Sequence, residues 1–210
     1  PEQFFAVRSR VENEPKKIDL LDTLEPITWT SLTNSGAAWE TTYSARGGDH
    51  IFCLIPEPYW EEGDGFFIKQ NTKVIVNVGG EPGAWMEPIG LPTEIIPLAK
   101  PYDRWTGNVF QGQVILNGHP LSCAEIEIEY MNHEPLLDKH AFAKEAKVKA
   151  PQDAFVLQTI FADANGVFTF GIPKAGWWGF AALELDPDYT YKGKKCNPII
   201  SVFYFLFINI

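Results

Sequence analysis

Apolar residues in this chain recur mostly with a period of two, and the runs that carry them are short and closed by Gly, Pro, Asn and Asp. The plainest case lies in Asn108–Asn132, where Ile126 and Ile128 alternate with Glu125, Glu127 and Glu129. That pattern predicts a strand with one buried and one wet face. Asn117-Gly118 upstream predicts a hairpin turn, with Gly118 free to take positive φ. A second such unit is Gln158–Ala182. It reads as a strand to Ala162, a tight Asp163-Ala164-Asn165-Gly166 turn and a strand Val167–Phe170. After a Pro173/Gly176 turn comes a strand through Trp177, Trp178 and Phe180. Adjacent strand positions face opposite ways, so only one of Trp177 and Trp178 can enter the core.

The first eighty residues hold further strand candidates at Phe4–Arg8, Ile18–Asp22, Ile27–Leu32, Trp39–Ser44, Ile51–Ile55 and Lys69–Val78. Gly79–Tyr102 carries prolines at 82, 88, 92, 97 and 101, a spacing that opposes both helix and central strand and predicts an extended strap. No long window has a 3.6-residue apolar period. The Ala/Lys/Glu-rich stretch Leu136–Val148 comes nearest and predicts a short helix or an ordered excursion between strands. The expected fold is mostly β. Two β-sandwich modules, immunoglobulin-like or prealbumin-like, occupy 1–80 and 105–198, joined by a Pro/Gly-rich strap over 81–104. The apolar run from Ile199 to Ile210 falls short of the roughly 20 residues of a spanning helix and is read as a strand-prone tail.

Composition narrows the function classes. A net charge of −10 opposes binding to nucleic acid or to an anionic membrane surface. It suits the attraction of cations, although acidic surfaces also serve solubility. The three cysteines, Cys53, Cys123 and Cys196, form no C-x-x-C pair, which excludes a simple disulfide framework or thiolate zinc site. Cys53 and Cys123 read as small buried apolar residues. There is no G-x-S-x-G, H-E-x-x-H, P-loop or helix-opening G-x-G-x-x-G. Glu61-Glu62 and Asp186/Asp188 sit in loop-like sequence where solvated acidic turns are the ordinary explanation. The expectation is that the chain is not an enzyme.

Four histidines remain: His50, His119, His133 and His140. Imidazole with a carboxylate is a common ligand set for nickel and cobalt. His133 and His140 flank Glu134 and Asp138 in one excursion, which makes His133, His140 and Glu134 the first metal candidates and His50 the next. Solvated loop histidines are the alternative for the pair, and an edge-strand histidine bonded to a carboxylate is the alternative for His50. His119 is read as a turn residue. The aromatic groups Tyr59-Trp60, Trp85, Tyr102, Trp105 and Trp177-Trp178 offer either core packing or stacking platforms for a glycan.

Several longer runs carry a resemblance: IDLLD at Ile18–Asp22, ITWTSLTNSG at Ile27–Gly36, GGDHIFCLIPEPYWE at Gly47–Glu61, GLPTEIIPLAKPY at Gly90–Tyr102, and the C-terminal block F-x-G-x-V-x-x-N-G-x-P-L with A-D-x-N-G-x-F-x-F-x-I-P. Together, over roughly Pro1 to Lys194, they are similar to the DUF4198 family. The C-terminal block also resembles prealbumin-like and carboxypeptidase regulatory-like sandwich modules. The resemblance implies a periplasmic protein exported by a signal peptide that this chain does not contain, and a His-containing first strand ahead of PEQFF. It implies a non-enzymatic accessory or metal-capturing component of a nickel or cobalt uptake system. Ni²⁺ or Co²⁺ would be transported ligand rather than resident cofactor, and a membrane metal transporter the partner. The alternative is a structural or adhesive sandwich that binds a protein or glycan without metal.

Overall fold

The computed structural model describes residues 1–10, 13–62, 66–81, 83–152, 155–185, 190–191, 194–195 and 199–208. Its strands are β1 (Gln3–Arg10), β2 (Asn13–Asp19), β3 (Glu25–Thr30), β4 (Ser35–Glu40), β5 (Gly48–Ile55), β6 (Tyr59–Glu61), β7 (Phe66–Val78), β8 (Thr93–Pro97), β9 (Val109–Leu116), β10 (His119–Pro120), β11 (Glu125–Tyr130), β12 (His133–Leu136), β13 (Ala141–Ala146), β14 (Leu157–Phe161), β15 (Val167–Gly171), β16 (Gly176–Leu185), β17 (Thr190–Tyr191), β18 (Lys194–Lys195) and β19 (Ile199–Ile208). The protein is mostly β, and among the described residues there is no α-helix. The Leu136–Val148 stretch is a single 3-10 turn, Leu137–Lys139, followed by β13. Backbone pairing of β13 with β12 and with β3 overrides the helix propensity of its Ala, Lys and Glu residues.

The largest sheet runs β14-β11-β16-β19-β7-β5-β1-β2, with β6 on β7. A four-stranded sheet is built on β9, flanked by β10, β15 and β8, and another runs β12-β13-β3-β4. The strand-prone tail is β19, antiparallel to β16 and parallel to β7. Its nearly unbroken apolar sequence suits an interior strand.

Alternation in β11 holds as the pattern predicts. Ile126 and Ile128 are fully buried, while Glu125, Glu127 and Glu129 take the other face. Burying each isoleucine is worth about 1.5–3 kcal/mol, which fixes the register against a one-residue slip. Gly118 and Gly166 both sit at turns with positive φ, +82° and +73°. Asn117-Gly118 does close a hairpin, as expected, but a short one, and the strand expected to return across it goes elsewhere. After Asn117-Gly118 the chain pairs with β9 only through the two residues of β10, and β11 then joins the largest sheet between β14 and β16. The Asp163–Gly166 turn likewise carries the chain from β14 in the largest sheet to β15 in the β9 sheet. Asp163 holds this corner by accepting the Asn165 and Val167 amides at 2.8 and 2.9 Å. The Val167 bond, then the Asn165 bond, keep its carboxyl below the ordinary range.

These corners stack the two sheets. Phe110 of β9 lies 4.8 Å from Phe180 of β16, Phe168 of β15 lies 5.9 Å from Phe180, and Phe170 lies 5.4 Å from Trp178. Such aromatic pairs add to the burial of their area. Ile95 from the proline-rich segment enters the same core. That segment is more than a strap. Thr93–Pro97 forms β8, buried at every position and paired with β9. Pro97 ends the strand, a position where a missing amide is tolerated.

The segment is fastened at two places. Lys73 on β7 and Glu94 on β8 form an ion pair of 2.6 Å, with side chains 0% and 2% exposed. Glu94 also accepts the Ile89 and Gly90 amides, and Lys73 donates to the Ile95 carbonyl at 3.4 Å. Nearer its start, Asn77 donates to Asp49 at 2.7 Å and to the Glu81 carbonyl at 2.6 Å, and Ala84 donates its amide to Ser9 Oγ.

Candidate functional site

The outer face of the largest sheet carries a groove of about 660 Å³. Its floor comes from β11 and β16, where cross-strand register sets Glu129 beside Gly179 and Glu127 beside Ala181. Small residues opposite the two glutamates leave the space that larger side chains would fill. Trp177, Leu157 and Phe142 supply apolar wall, Ser31-Leu32-Thr33 from the β3–β4 turn closes one side, and Met131-Asn132-His133 lies where β11 leads into β12. The Trp177-Trp178 doublet divides as strand geometry requires. Trp178 is 3% exposed in the core, its indole N–H donating to the Lys174 carbonyl, and Trp177 lines the groove.

Two carboxylates two residues apart on one strand face repel each other. Partial burial, then the charge of Glu127, raises the Glu129 carboxyl above its ordinary range, although solvent still reaches the side chain. Among the described residues neither Glu127 nor Glu129 takes part in an ion pair. Lys147, whose Nζ is 5.8 Å from the Tyr130 ring centroid, is held by Glu134 at 2.8 Å.

The histidines are dispersed. His133 is half-buried on the groove wall, and its Nδ1–H donates to the Ala143 carbonyl at 2.9 Å. That bond assigns the proton to Nδ1 and leaves Nε2 as a lone-pair donor. His140, in the left-handed conformation with φ 45°, turns instead to Glu40 at 3.1 Å and lies 6.4 Å from the Trp29 ring. Glu134 is taken by Lys147. His50 is fully buried on β5 between β7 and β1, so it is not an edge-strand residue. Its partners are the Tyr43 hydroxyl at 3.1 Å and the Arg46 carbonyl at 2.7 Å, with no carboxylate among them, and both ring nitrogens are satisfied. His119 is exposed in β10. Among the described residues no three His, Cys, Asp or Glu side chains gather as a metal-holding group.

Cys53 is buried, and burial above all pushes its thiol up to about 12. Cys123, expected inside, is exposed at φ 56° in the turn before β11. Cys196, Asp186 and Asp188 lie outside the described residues. No described helix is long and apolar enough to cross a membrane.

A family model described as a domain of unknown function, DUF4198, matches residues 2–186 of the 210. The chain belongs to the DUF4198 family. No curated protein and no solved structure matches it.

The alternation of β11 puts Glu127 and Glu129 on the solvent face of their strand and carries no local sign of a role. What makes them a site in this DUF4198 protein is the loop Ser31–Thr33, over ninety positions earlier, which closes one side of that face into a groove. The one local signal was the tryptophan doublet, which obliges one indole to stand outside the core.

Proposed function

We propose that this chain is a non-enzymatic, periplasmic ligand-capturing protein that serves a nickel or cobalt uptake system and hands its cargo to a membrane transporter. The observation that carries the reading is the groove. Glu127 and Glu129 lack cationic partners among the described residues, and His133, with Nε2 as the lone-pair donor, lines the same concavity. Carboxylate and imidazole are the donor types a divalent transition metal takes, and they line one recess here without gathering into a three-donor group among the described residues. A sheet face braced by the core beneath it suits capture more than chemistry, which needs a positioned nucleophile or acid–base pair. The expected organisation of two sandwich modules stays part of the proposal; the stacked faces of β9–β15 and β11–β16 support the second of them, while β1, β2, β5 and β7 share the largest sheet with β11 and β16.

Calorimetric titration of Ni²⁺ and Co²⁺ tests this reading. Saturable binding that weakens in acid, where protons compete for the donor atoms, and that is lost in Glu127→Gln/Glu129→Gln/His133→Ala would sustain it. Binding unchanged by those substitutions, or absent, would sink it. Loss confined to His133→Ala/His140→Ala would move the site to the His133–His140 excursion.

The second reading is an adhesive module for a protein or glycan. It draws on Trp39, Trp60 and Trp105, which are 47%, 51% and 56% exposed and could stack on a planar or sugar ligand. Glycan-array binding abolished by Trp60→Ala and indifferent to chelator would favour it.

A further inference from the structure

The size and lining of the groove point beyond a bare ion. A hexahydrated metal ion takes roughly 200 Å³, at about 30 Å³ per water. The groove offers about 660 Å³, within the range of roughly 300–1,000 Å³ typical for small organic ligands. Its charge is bordered by apolar surface: Leu157 sits beside Glu129 in register, Trp177 is on the same sheet face, and Phe142 and Leu32 complete the lining. A bare transition ion needs three or four donors at about 2.0–2.2 Å, and no such group gathers here among the described residues. A hydrated ion would leave the aromatic wall idle.

We propose that the groove binds a cation carried on an apolar organic body, its charge between Glu127 and Glu129 and its body against Trp177 and Phe142. Two sources share that chemistry: a protonated organic amine, and a divalent metal already chelated by an aromatic ligand. The chelate source rests on the metal-capture reading above; the amine source does not.

Three features support the assignment. The two carboxylates repel each other on one strand face, and a cation between them relieves that repulsion. An indole face is the best aromatic partner for a cation, and Trp177 lies on the same strand as the Gly179 and Ala181 that open the floor. Neither carboxylate takes part in an ion pair among the described residues, and His133, which shares the lining, donates its ring N–H to the Ala143 carbonyl.

Four probes separate the possibilities on the full chain, by titration calorimetry and tryptophan fluorescence: tryptamine as aromatic ammonium, the dicationic nickel complex of 2,2′-bipyridine, free Ni²⁺, and neutral indole. Tryptamine, the nickel–bipyridine complex or both should bind, and indole should not. Glu127→Gln and Glu129→Gln should each weaken that binding roughly ten- to a hundredfold, the loss expected of one charge-assisted contact. Both side chains lie on the solvent face and glutamine keeps their shape, so thermal unfolding should confirm folded variants. Binding by the nickel complex alone assigns the chelate source, and binding by tryptamine alone the amine source. Indole binding as tightly as tryptamine would overturn the proposal, as would organic-cation binding indifferent to both substitutions. Saturable binding of free Ni²⁺ with no response to either organic cation would also overturn it while leaving the metal-capture reading intact. Silence from all four probes would remove both.

Discussion

Replacing Lys73 with methionine tests how the proline-rich segment is held. Lys73 and Glu94 meet at 2.6 Å with almost no solvent exposure. At an effective dielectric of 20 their attraction is about 6 kcal/mol, and desolvating each ion costs several kcal/mol against it. The net worth of the pair is therefore small, but removing one member is not. Lys73→Met leaves the Glu94 carboxylate buried, with only the Ile89 and Gly90 amides as donors. The expected loss is about 3–5 kcal/mol, a large share of the roughly 5–15 kcal/mol that holds a domain together. Urea unfolding measures it as a lower midpoint at unchanged slope. Adding Glu94→Gln keeps an acceptor for both amides and removes the stranded charge. The double variant should recover roughly 2 kcal/mol or more relative to the sum of the two single losses. A single-variant loss below about 1 kcal/mol, or strictly additive losses, would refute the view that this pair joins β7 to β8.

Gly166→Ala should cost more than Gly118→Ala, although both residues have positive φ. A Cβ at Gly118 meets open space and adds only the roughly 1–2 kcal/mol of left-handed backbone, whereas at Gly166 it would stand 2.8 Å from the Val114 carbonyl oxygen; equal midpoints in urea would contradict this. Thiol labelling of the native protein, mapped by peptide mass, should modify Cys123 rapidly and leave Cys53 intact until unfolding, and early labelling of Cys53 would contradict its burial. A raised folded-state carboxyl pKa means that Glu129 favours the fold below the unfolded value and that this contribution is lost as pH rises through the folded value. Glu129→Gln should therefore be at least as stable as the parent near pH 7, with the difference fading toward pH 4; destabilisation by more than about 1 kcal/mol at pH 7 would count against the crowded carboxylates.

What the sequence made legible was local. The alternation Ile126-Glu127-Ile128-Glu129 set both faces of β11, and glycine with Asp or Asn set both turns. Which strands pair across those turns was not legible, because a tight turn needs the same residues whether its arms share a sheet or divide between two. The prolines around β8 suggested a segment outside the sheets, yet Thr93–Pro97 is buried throughout, since proline excludes only the amides it lacks. Leu136–Val148 carried helix-forming residues and became β12, a 3-10 turn and β13 through pairing with distant β3. For the candidate site, residue types pointed to histidine, while the groove depends on a loop and a strand that lie more than ninety positions apart.

The strand β11 faces the core with one set of side chains and the groove with the other. The groove floor therefore cannot loosen without disturbing Ile126 and Ile128, and its shape exists before any ligand arrives. A preformed floor spares the ligand most of the entropy of ordering its own site. It also makes occupancy a property of the whole fold: a ligand at a hundred times its Kd should add about 2.7 kcal/mol to global stability. The melting temperature of the intact chain thus becomes a direct gauge of what the groove holds.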